Sequence, residues 1–151
     1  MRRLKAWIGI DPGKRGALAL VTSDGEAQAI DYPGDVSQAA DILRGWKAEY
    51  QIELAGLERV HSMPAQGVRS VFSFGENFGM WQGILAAFGI PYELASPQQW
   101  QRGVIVPSDG KTPKERALTV ARRLYPDIDL HRKCDDGRAD ALLLAAYARR
   151  K

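Results

Sequence analysis

The chain has 151 residues, of which 45% are hydrophobic and 26% are charged, and its formal net charge at pH 7 is +3. A chain of this length falls in the size range of one domain that can bury its own core, so we expect a single domain over residues 1–151. The one cysteine, Cys134, excludes an internal disulfide and a multi-cysteine metal site. No apolar run approaches the ~20 residues of a membrane span, so we expect a soluble, intracellular protein.

The first part of the chain is predicted to form three short strands joined by tight turns. The strands alternate or run in β-type residues and are bounded by Pro-Gly and Ser-Asp-Gly-Glu turn signals. They are residues 5–11, 16–22 and 27–33. Such a succession is typical of an antiparallel meander.

Helices and strands then alternate along the rest of the chain. The predicted helical segments are residues 36–50, 80–89, 96–103, 112–126 and 133–150, and the predicted strands are residues 52–60 and 91–95. The strand over 52–60 follows a helix and should therefore run parallel to the first strand. The glycine- and aromatic-rich stretch 61–76 is predicted to be a loop. The order indicates an α/β fold with a mixed five-stranded sheet, three antiparallel strands and then parallel strands, flanked by helices.

Four acidic residues are predicted to meet at one end of this sheet. Asp11 ends the first strand and Glu58 lies near the end of the fourth. Asp136 and Asp140 are four residues apart and project from one face of the last helix. Functional groups in α/β sheets collect beyond the carboxyl ends of the parallel strands, so we expect the four side chains to lie close together.

Such a cluster of carboxylates is unstable unless its charge is compensated. At ~4 Å and an effective dielectric constant of ~20, each pair repels by about 4 kcal/mol, which requires bound cations or raised pKa values. Carboxylate oxygens without a cluster of Cys or His favour Mg²⁺ or Mn²⁺. One or two such ions would activate a water molecule for hydrolysis of a phosphodiester.

Each acid also has a purely structural alternative. The alternatives are a turn opened by Asp11, a helix cap provided by Asp135 or Asp136, and an ion pair of Glu58 with Arg59 or Arg69. The predicted topology favours the cluster over these separate roles.

Five segments, taken in chain order, carry a family resemblance. They are IGIDPGKRGALAL, LERVHSMPAQGVRSVFSFGENFGMWQGIL, SPQQWQ, KERALTVARRLYP and DDGRADALLLAAY. They resemble the RuvC-type Holliday junction resolvases of the RNase H-like superfamily, and in particular the bacteriophage and chloroplast branch. The resemblance implies an RNase H-like fold and a homodimer that nicks opposed strands of four-way DNA junctions. It also implies Mg²⁺, or Mn²⁺ as a substitute, with two ions per active site, and products with 5′-phosphate and 3′-hydroxyl ends.

The resemblance assigns the family's catalytic, metal-binding acids to Asp11, Glu58, Asp136 and Asp140. The well-known bacterial resolvases space the last two acids three residues apart, whereas this chain, like the chloroplast branch, spaces them four apart, and Asp135 is a rival for Asp136. The implied location is the cytoplasm of a bacterium or of a phage-infected host, with no membrane and no nucleotide cofactor.

Other functions share parts of this pattern. An RNase H-like nuclease could act on other branched DNA or on RNA–DNA hybrids. An actin-like phosphotransferase begins with a similar Asp-Gly strand turn, but 151 residues leave no room for its second lobe. A junction-binding protein without activity would not need acids at all four positions.

Basic and aromatic residues around the predicted site are candidates for DNA contact. The basic candidates are Lys14, Arg15, Arg69, Lys111, Lys114, Arg132 and Lys133. The candidates for stacking on bases at the branch point are His61, Met63, Phe72 and Phe74 in the predicted loop. The alternatives are a solvated charged surface and, for the two phenylalanines, a place in the core. The apolar face from Phe78 to Phe88 is expected to pack partly on the sheet and partly on a second copy of the chain.

Overall fold

The computed structural model describes residues 2–59 and 65–151. Its strands are β1 (Lys5–Asp11), β2 (Ala17–Thr22), β3 (Ala27–Asp31), β4 (Gln51–Glu58) and β5 (Tyr92–Ala95). Its helices are α1 (Val36–Glu49), α2 (Val68–Ala87), α3 (Pro97–Gln101), α4 (Pro113–Leu124) and α5 (Asp136–Arg149). Short 3₁₀ turns, Pro107–Asp109 and Lys133–Asp135, precede α4 and α5. Within the described ranges, no helix is long and apolar enough to cross a membrane.

The strands form one mixed sheet in the order β3-β2-β1-β4-β5. Strand β2 is antiparallel to β1 and to β3, whereas β4 is parallel to β1 and to β5. The predicted mixed five-stranded sheet is therefore confirmed. Its two central strands, β1 and β4, are neighbours, and they end in Asp11 and Glu58.

Helix α5 packs directly on the middle of one face of the sheet because glycines of the central strands lie beneath it. A Cβ atom on Gly9 would lie 1.9 Å from the carbonyl oxygen of Ala141, and one on Gly56 would lie 3.0 Å from that of Leu144. Only a residue without a side chain allows such an approach at Gly9. The backbone of α5 thus lies against β1 and β4.

Helices α1 and α2 belong to the core on the opposite face of the sheet from α5. Leu43 and Trp46 of α1 and Trp81 and Leu85 of α2 are buried in one cluster with apolar side chains of β1, β2 and β4. A second core cluster contains residues of α4 and α5. The two cores hold the central strands from both faces and fix the position of their carboxyl ends.

Helix α2 begins well before the predicted helix over 80–89. The predicted loop over 61–76 is wrong in its second half, because the helix starts at Val68 and includes Phe72 and Phe74. Glycines and serines give this stretch a low intrinsic helix propensity. The buried residues of α2 are Asn77, Trp81 and Leu85, so the packed part of the helix lies after this stretch, and residues 68–76 extend it toward the N-terminus.

Candidate active site

Three carboxylates come together where β1 and β4 end. Asp11 is the last residue of β1, Glu58 is the last residue of β4, and Asp140 lies one turn into α5. One carboxylate oxygen of each residue lies within 4.8 Å of those of the other two. Glu58 is only 9% exposed, and Asp11 and Asp140 are half-buried. The structure therefore brings together three of the four acids on which the sequence hypothesis rests.

A glycine in the first turn of α5 allows this convergence. A Cβ atom on Gly137 would lie 2.9 Å from the carbonyl oxygen of Arg15 and 3.5 Å from Oδ2 of Asp11. The first turn of α5 can rest on the turn between β1 and β2 only because Gly137 has no side chain. Asp140, three residues later, is thereby brought to Asp11.

Asp136 lies at the rim of the three carboxylates. Its side chain is 24% exposed, and its Oδ2 lies 4.0 Å from Nζ of Lys114. Its negative charge contributes to the raised pKa of Asp11 and of Asp140, as expected of a close neighbour. We call the four residues Asp11, Glu58, Asp136 and Asp140 the acidic cluster.

Asp135, the rival of Asp136, is engaged elsewhere. It is fully buried, and it accepts hydrogen bonds of 2.8 Å from both the backbone N–H and the Nε–H of Arg132. Arg132 and Arg138 both also donate to Asp31 at the end of β3. These ion pairs tie the start of α5 to the sheet, so the geometry favours Asp136 over Asp135 as a member of the cluster. They also hold Arg132, a predicted DNA contact, against two carboxylates.

Burial and mutual repulsion raise the pKa of the clustered carboxyl groups. The pKa of Asp11 lies well above its usual value of 3.8, first because the group is buried and then because the other three acids are negative. Burial and two neighbouring acids also raise the pKa of Asp140, and the ammonium group of Lys114 offsets part of this effect. Burial raises the pKa of Glu58, against the hydrogen bond from Trp100. A divalent cation would compensate these charges.

We expect Mn²⁺ to stabilise the fold more at pH 7.5 than at pH 5. The carboxyl groups have higher pKa values in the folded protein than in the unfolded chain. Their contribution to stability is therefore fully present at a pH below the unfolded pKa values, and it is lost as the pH rises through the folded pKa values. An ion bound to the ionised groups offsets that loss. At 100 times its Kd it adds about 2.7 kcal/mol, roughly 5–10 °C in melting temperature. Thermal melts at both pH values measure this, and equal Mn²⁺ shifts of the wild type at pH 5 and pH 7.5 would contradict it. Asp140→Asn is the control in which the shift should be lost.

Asn77 is a buried polar residue that the sequence pattern did not reveal. Its Oδ1 accepts a hydrogen bond of 2.7 Å from the backbone N–H of Gly13, which has a φ of 116°. That conformation favours glycine and belongs to the turn that follows Asp11. The bond therefore ties α2 to the turn that carries Lys14 and Arg15. A polar residue on the apolar face of α2 was the available signal, but it could be recognised only with the correct helix boundaries.

Three of the predicted basic DNA contacts line one pocket beside this turn. Lys14, Arg15 and Arg69 surround a volume of about 590 Å³ together with Ser70, Ser73, Gly67 and Phe74. Lys111 and Lys133 lie outside it, on the segments that precede α4 and α5.

The four stacking candidates have different surroundings. Phe72 is 69% exposed on α2, so the alternative that places it in the core is wrong. Phe74 is half-buried and lies next to Gly13. His61 and Met63 fall outside the described residues.

No protein-family model matches the chain. Among solved structures, RuvC of Thermus thermophilus in complex with a Holliday junction substrate matches with a TM-score of 0.65 and 16% identity, over 97% of this chain and 95% of that chain. The chain has the RuvC fold. A second RuvC structure from T. thermophilus gives a TM-score of 0.62 and 18% identity, over 96% of this chain and 95% of that chain.

Two further proteins extend the comparison beyond bacteria. The yeast mitochondrial Holliday junction resolvase matches the RuvC fold of this chain with a TM-score of 0.50 and 14% identity, over 97% of this chain and 78% of that chain. The chloroplastic Holliday junction resolvase of Chlamydomonas reinhardtii is 31% identical over 88 residues, which are 57% of this chain and 10% of that protein. The chain thus spans about a tenth of the length of this relative. The predicted RNase H-like fold is confirmed.

Proposed function

We propose that the chain is a Holliday junction resolvase, a metal-dependent endonuclease that nicks opposed strands of a four-way DNA junction. The observation that carries the proposal is the convergence of Asp11, Glu58 and Asp140 within 4.8 Å at the ends of β1 and β4. The proposal is supported by the RuvC fold, of which one solved example holds a Holliday junction substrate. It is further supported by the chloroplastic relative, which is itself a Holliday junction resolvase.

The donor atoms of the acidic cluster fit Mg²⁺ or Mn²⁺. The cluster offers only carboxylate oxygens, which these hard cations prefer, and burial, followed by the repulsion between the acids, raises the pKa of Asp11 and of Asp140. We propose that Asp11, Glu58 and Asp140, with Asp136 at the rim, bind two ions. When bound, the ions would supply a water activated as nucleophile and positive charge at the phosphate. The 5′-phosphate and 3′-hydroxyl product ends are those that the family resemblance implies.

The basic residues have the role of holding and orienting DNA. Lys114 lies at the rim of the cluster, where its ammonium group can contact a phosphate next to the one that reacts. The pocket of Lys14, Arg15 and Arg69 lies beyond the turn that follows Asp11. Contacts of this kind fix the register of the DNA backbone but carry no sequence information.

Cleavage of synthetic substrates tests the proposal. A four-way junction is incubated with Mg²⁺, with Mn²⁺ or with a chelator, and the cut sites are mapped on all strands. We expect metal-dependent cuts at symmetric positions on two opposed strands. A fork, a flap and an RNA–DNA hybrid serve as competing substrates. Faster cutting of any of these would indicate instead an RNase H-like nuclease of different specificity.

We expect a homodimer in the absence of DNA, because symmetric nicks across a nearly two-fold symmetric junction require two symmetric sites. Gly75, Gly79 and Gly83 form a row along α2, and an added Cβ at each would meet nothing within 4 Å among the described residues, so a second helix could approach closely there. Light scattering should give twice the monomer mass of 16.7 kDa. Gly79→Glu should give monomers and Gly45→Glu, on α1, should not. A wild-type protein that is monomeric at micromolar concentration would contradict the dimer.

We expect Phe72→Ala to slow junction cleavage about tenfold or more without changing the melting temperature. Stacking on a base is worth ~1–3 kcal/mol, and the exposed ring stands on the helix that also lines the basic pocket. The control is Val68→Ala, which removes another exposed apolar side chain of α2. Equal cleavage rates for the two variants would exclude Phe72 as a base contact. His61 and Met63 remain predicted contacts to be tested in the same way.

A further inference from the structure

A buried tryptophan contacts the acidic cluster from the side of the hydrophobic core. Trp100 is 1% exposed, and its indole Nε1–H donates a hydrogen bond of 2.9 Å to Oε2 of Glu58. An indole has one donor and no acceptor, so this bond uses the whole polar capacity of the side chain. It occupies one lone pair of Oε2 of Glu58, and within the described residues the other carboxylate oxygen, Oε1, is free of hydrogen bonds.

The local backbone explains why Trp100 reaches Glu58. Ala95, the last residue of β5, lies in register opposite Glu58 on β4. The next residue, Ser96, caps α3: its hydroxyl oxygen accepts from the backbone N–H of Gln99, and the Gln99 side chain accepts from the backbone N–H of Ser96. This capping box fixes the first turn of α3 directly after the strand. Trp100 is thereby placed over the carboxyl end of β4.

Packing also fixes the indole ring. Trp100 belongs to the core cluster that contains Leu118 of α4 and Leu143 of α5. A ring enclosed by two further helices cannot turn away from Glu58 without opening the core. The donor is therefore held at a defined place relative to the helix that carries Asp140.

A second tryptophan provides the contrast. Trp81 is fully buried on α2, and within the described residues its Nε1 has no hydrogen-bond partner. Burial of an indole in this protein thus does not by itself require a bond to a carboxylate. The bond from Trp100 to Glu58 is specific to the cluster.

We propose that Trp100 is a positioning residue for the metal site. Its indole N–H holds the Glu58 carboxylate in one orientation, so that the free oxygen is ready to bind an ion. The inference rests on the proposed function, since it assumes that the acidic cluster binds Mg²⁺ or Mn²⁺. Partners of this kind, which hydrogen-bond to a metal ligand, typically change metal affinity or activity by 10–100-fold when they are removed.

The test compares Trp100→Phe with Trp81→Phe. Both replacements remove an indole N–H and the same ring volume from a buried site, but only the first removes a bond to Glu58. Calorimetric titration of the DNA-free protein with Mn²⁺ should show a Kd about tenfold higher in Trp100→Phe than in wild type. Trp81→Phe should bind Mn²⁺ as wild type does. Junction cleavage by Trp100→Phe should recover as the Mn²⁺ concentration is raised, which a general loss of folding would not allow.

A second pair of variants covers the case in which Trp100→Phe does not fold. Ser96→Ala removes the cap that sets α3, and Asp35→Ala removes the cap of α1, which has no residue in the cluster. We expect Ser96→Ala to bind Mn²⁺ more weakly than the wild type does and Asp35→Ala to bind Mn²⁺ as the wild type does.

The outcomes separate this inference from the proposed function. Equal Mn²⁺ affinities within both pairs overturn the role of Trp100 even if the wild type cuts junctions. Mn²⁺ binding without junction cleavage by the wild type overturns the function, while calorimetry still decides on Trp100. A wild type that binds no Mn²⁺ overturns both.

Discussion

Asp140→Asn is expected to abolish cleavage of a four-way junction while its affinity for the junction stays the same or rises. The residue lies within 4.8 Å of both other converging carboxylates, so its loss removes a ligand from the centre of the site. A contribution of about 4 kcal/mol from metal catalysis corresponds to roughly a thousandfold in rate. The same change removes a negative charge that would face DNA phosphates, which is why binding does not weaken.

Single-turnover cleavage and gel-shift titration, run on the same preparation, measure both halves of this expectation. Asp135→Asn is the matched control, because it removes a carboxylate five residues earlier, directly before Asp136. Asp135 is buried against Arg132 and Arg138, so we expect that variant to melt at a lower temperature, with its folded fraction still cutting. Cleavage at the wild-type rate by Asp140→Asn would remove Asp140 from the site. The reverse pattern would identify Asp135 as the ligand.

The acidic cluster could be anticipated because its positions follow from local patterns. Asp11 closes a short apolar run before the turn signal Pro-Gly, and Glu58 lies near the end of the strand predicted over 52–60. Asp136 and Asp140 share a helix face by the helical period alone. The order of strands and helices predicts that β4 runs parallel to β1. In the structure the two strands are neighbours, so their carboxyl ends lie together.

The partners of these acids could not be anticipated, because they depend on tertiary contacts. Trp100 lies 42 residues from Glu58 along the chain, and no spacing rule connects an indole to a carboxylate at that distance. The network that buries Asp135 joins Arg132, before α5, to β3 across 101 residues and joins Arg138 of α5 to β3 across 107 residues. The start of α2 was missed for a related reason. Its glycines and serines indicate a loop, whereas the helix continues toward its N-terminus from the buried residues Asn77, Trp81 and Leu85.

Gly9 is the second position at which one substitution should have a large effect. A Cβ atom there would lie 1.9 Å from the carbonyl oxygen of Ala141 and 2.4 Å from the backbone nitrogen of Ala145. Both are backbone atoms of α5, so no rotation of a side chain can relieve the overlap. Either α5 moves away from β1 or the protein unfolds. Either way, Asp140, which precedes Ala141 on the same helix, separates from Asp11.

Three glycine-to-alanine variants should therefore form a graded series in thermal stability. Gly9→Ala should lose more than about 3 kcal/mol, roughly 10 °C in melting temperature, because overpacking against backbone cannot relax. Gly56→Ala should lose less, since its Cβ would lie 3.0 Å from the carbonyl oxygen of Leu144. Gly45 lies in α1, where an added Cβ would meet nothing within 4 Å in the part of the chain that the structure describes, so Gly45→Ala should gain up to about 1 kcal/mol of helix stability. If Gly9→Ala melts like Gly45→Ala, then α5 does not rest on β1 as described, and the geometry that brings Asp140 to Asp11 fails with it.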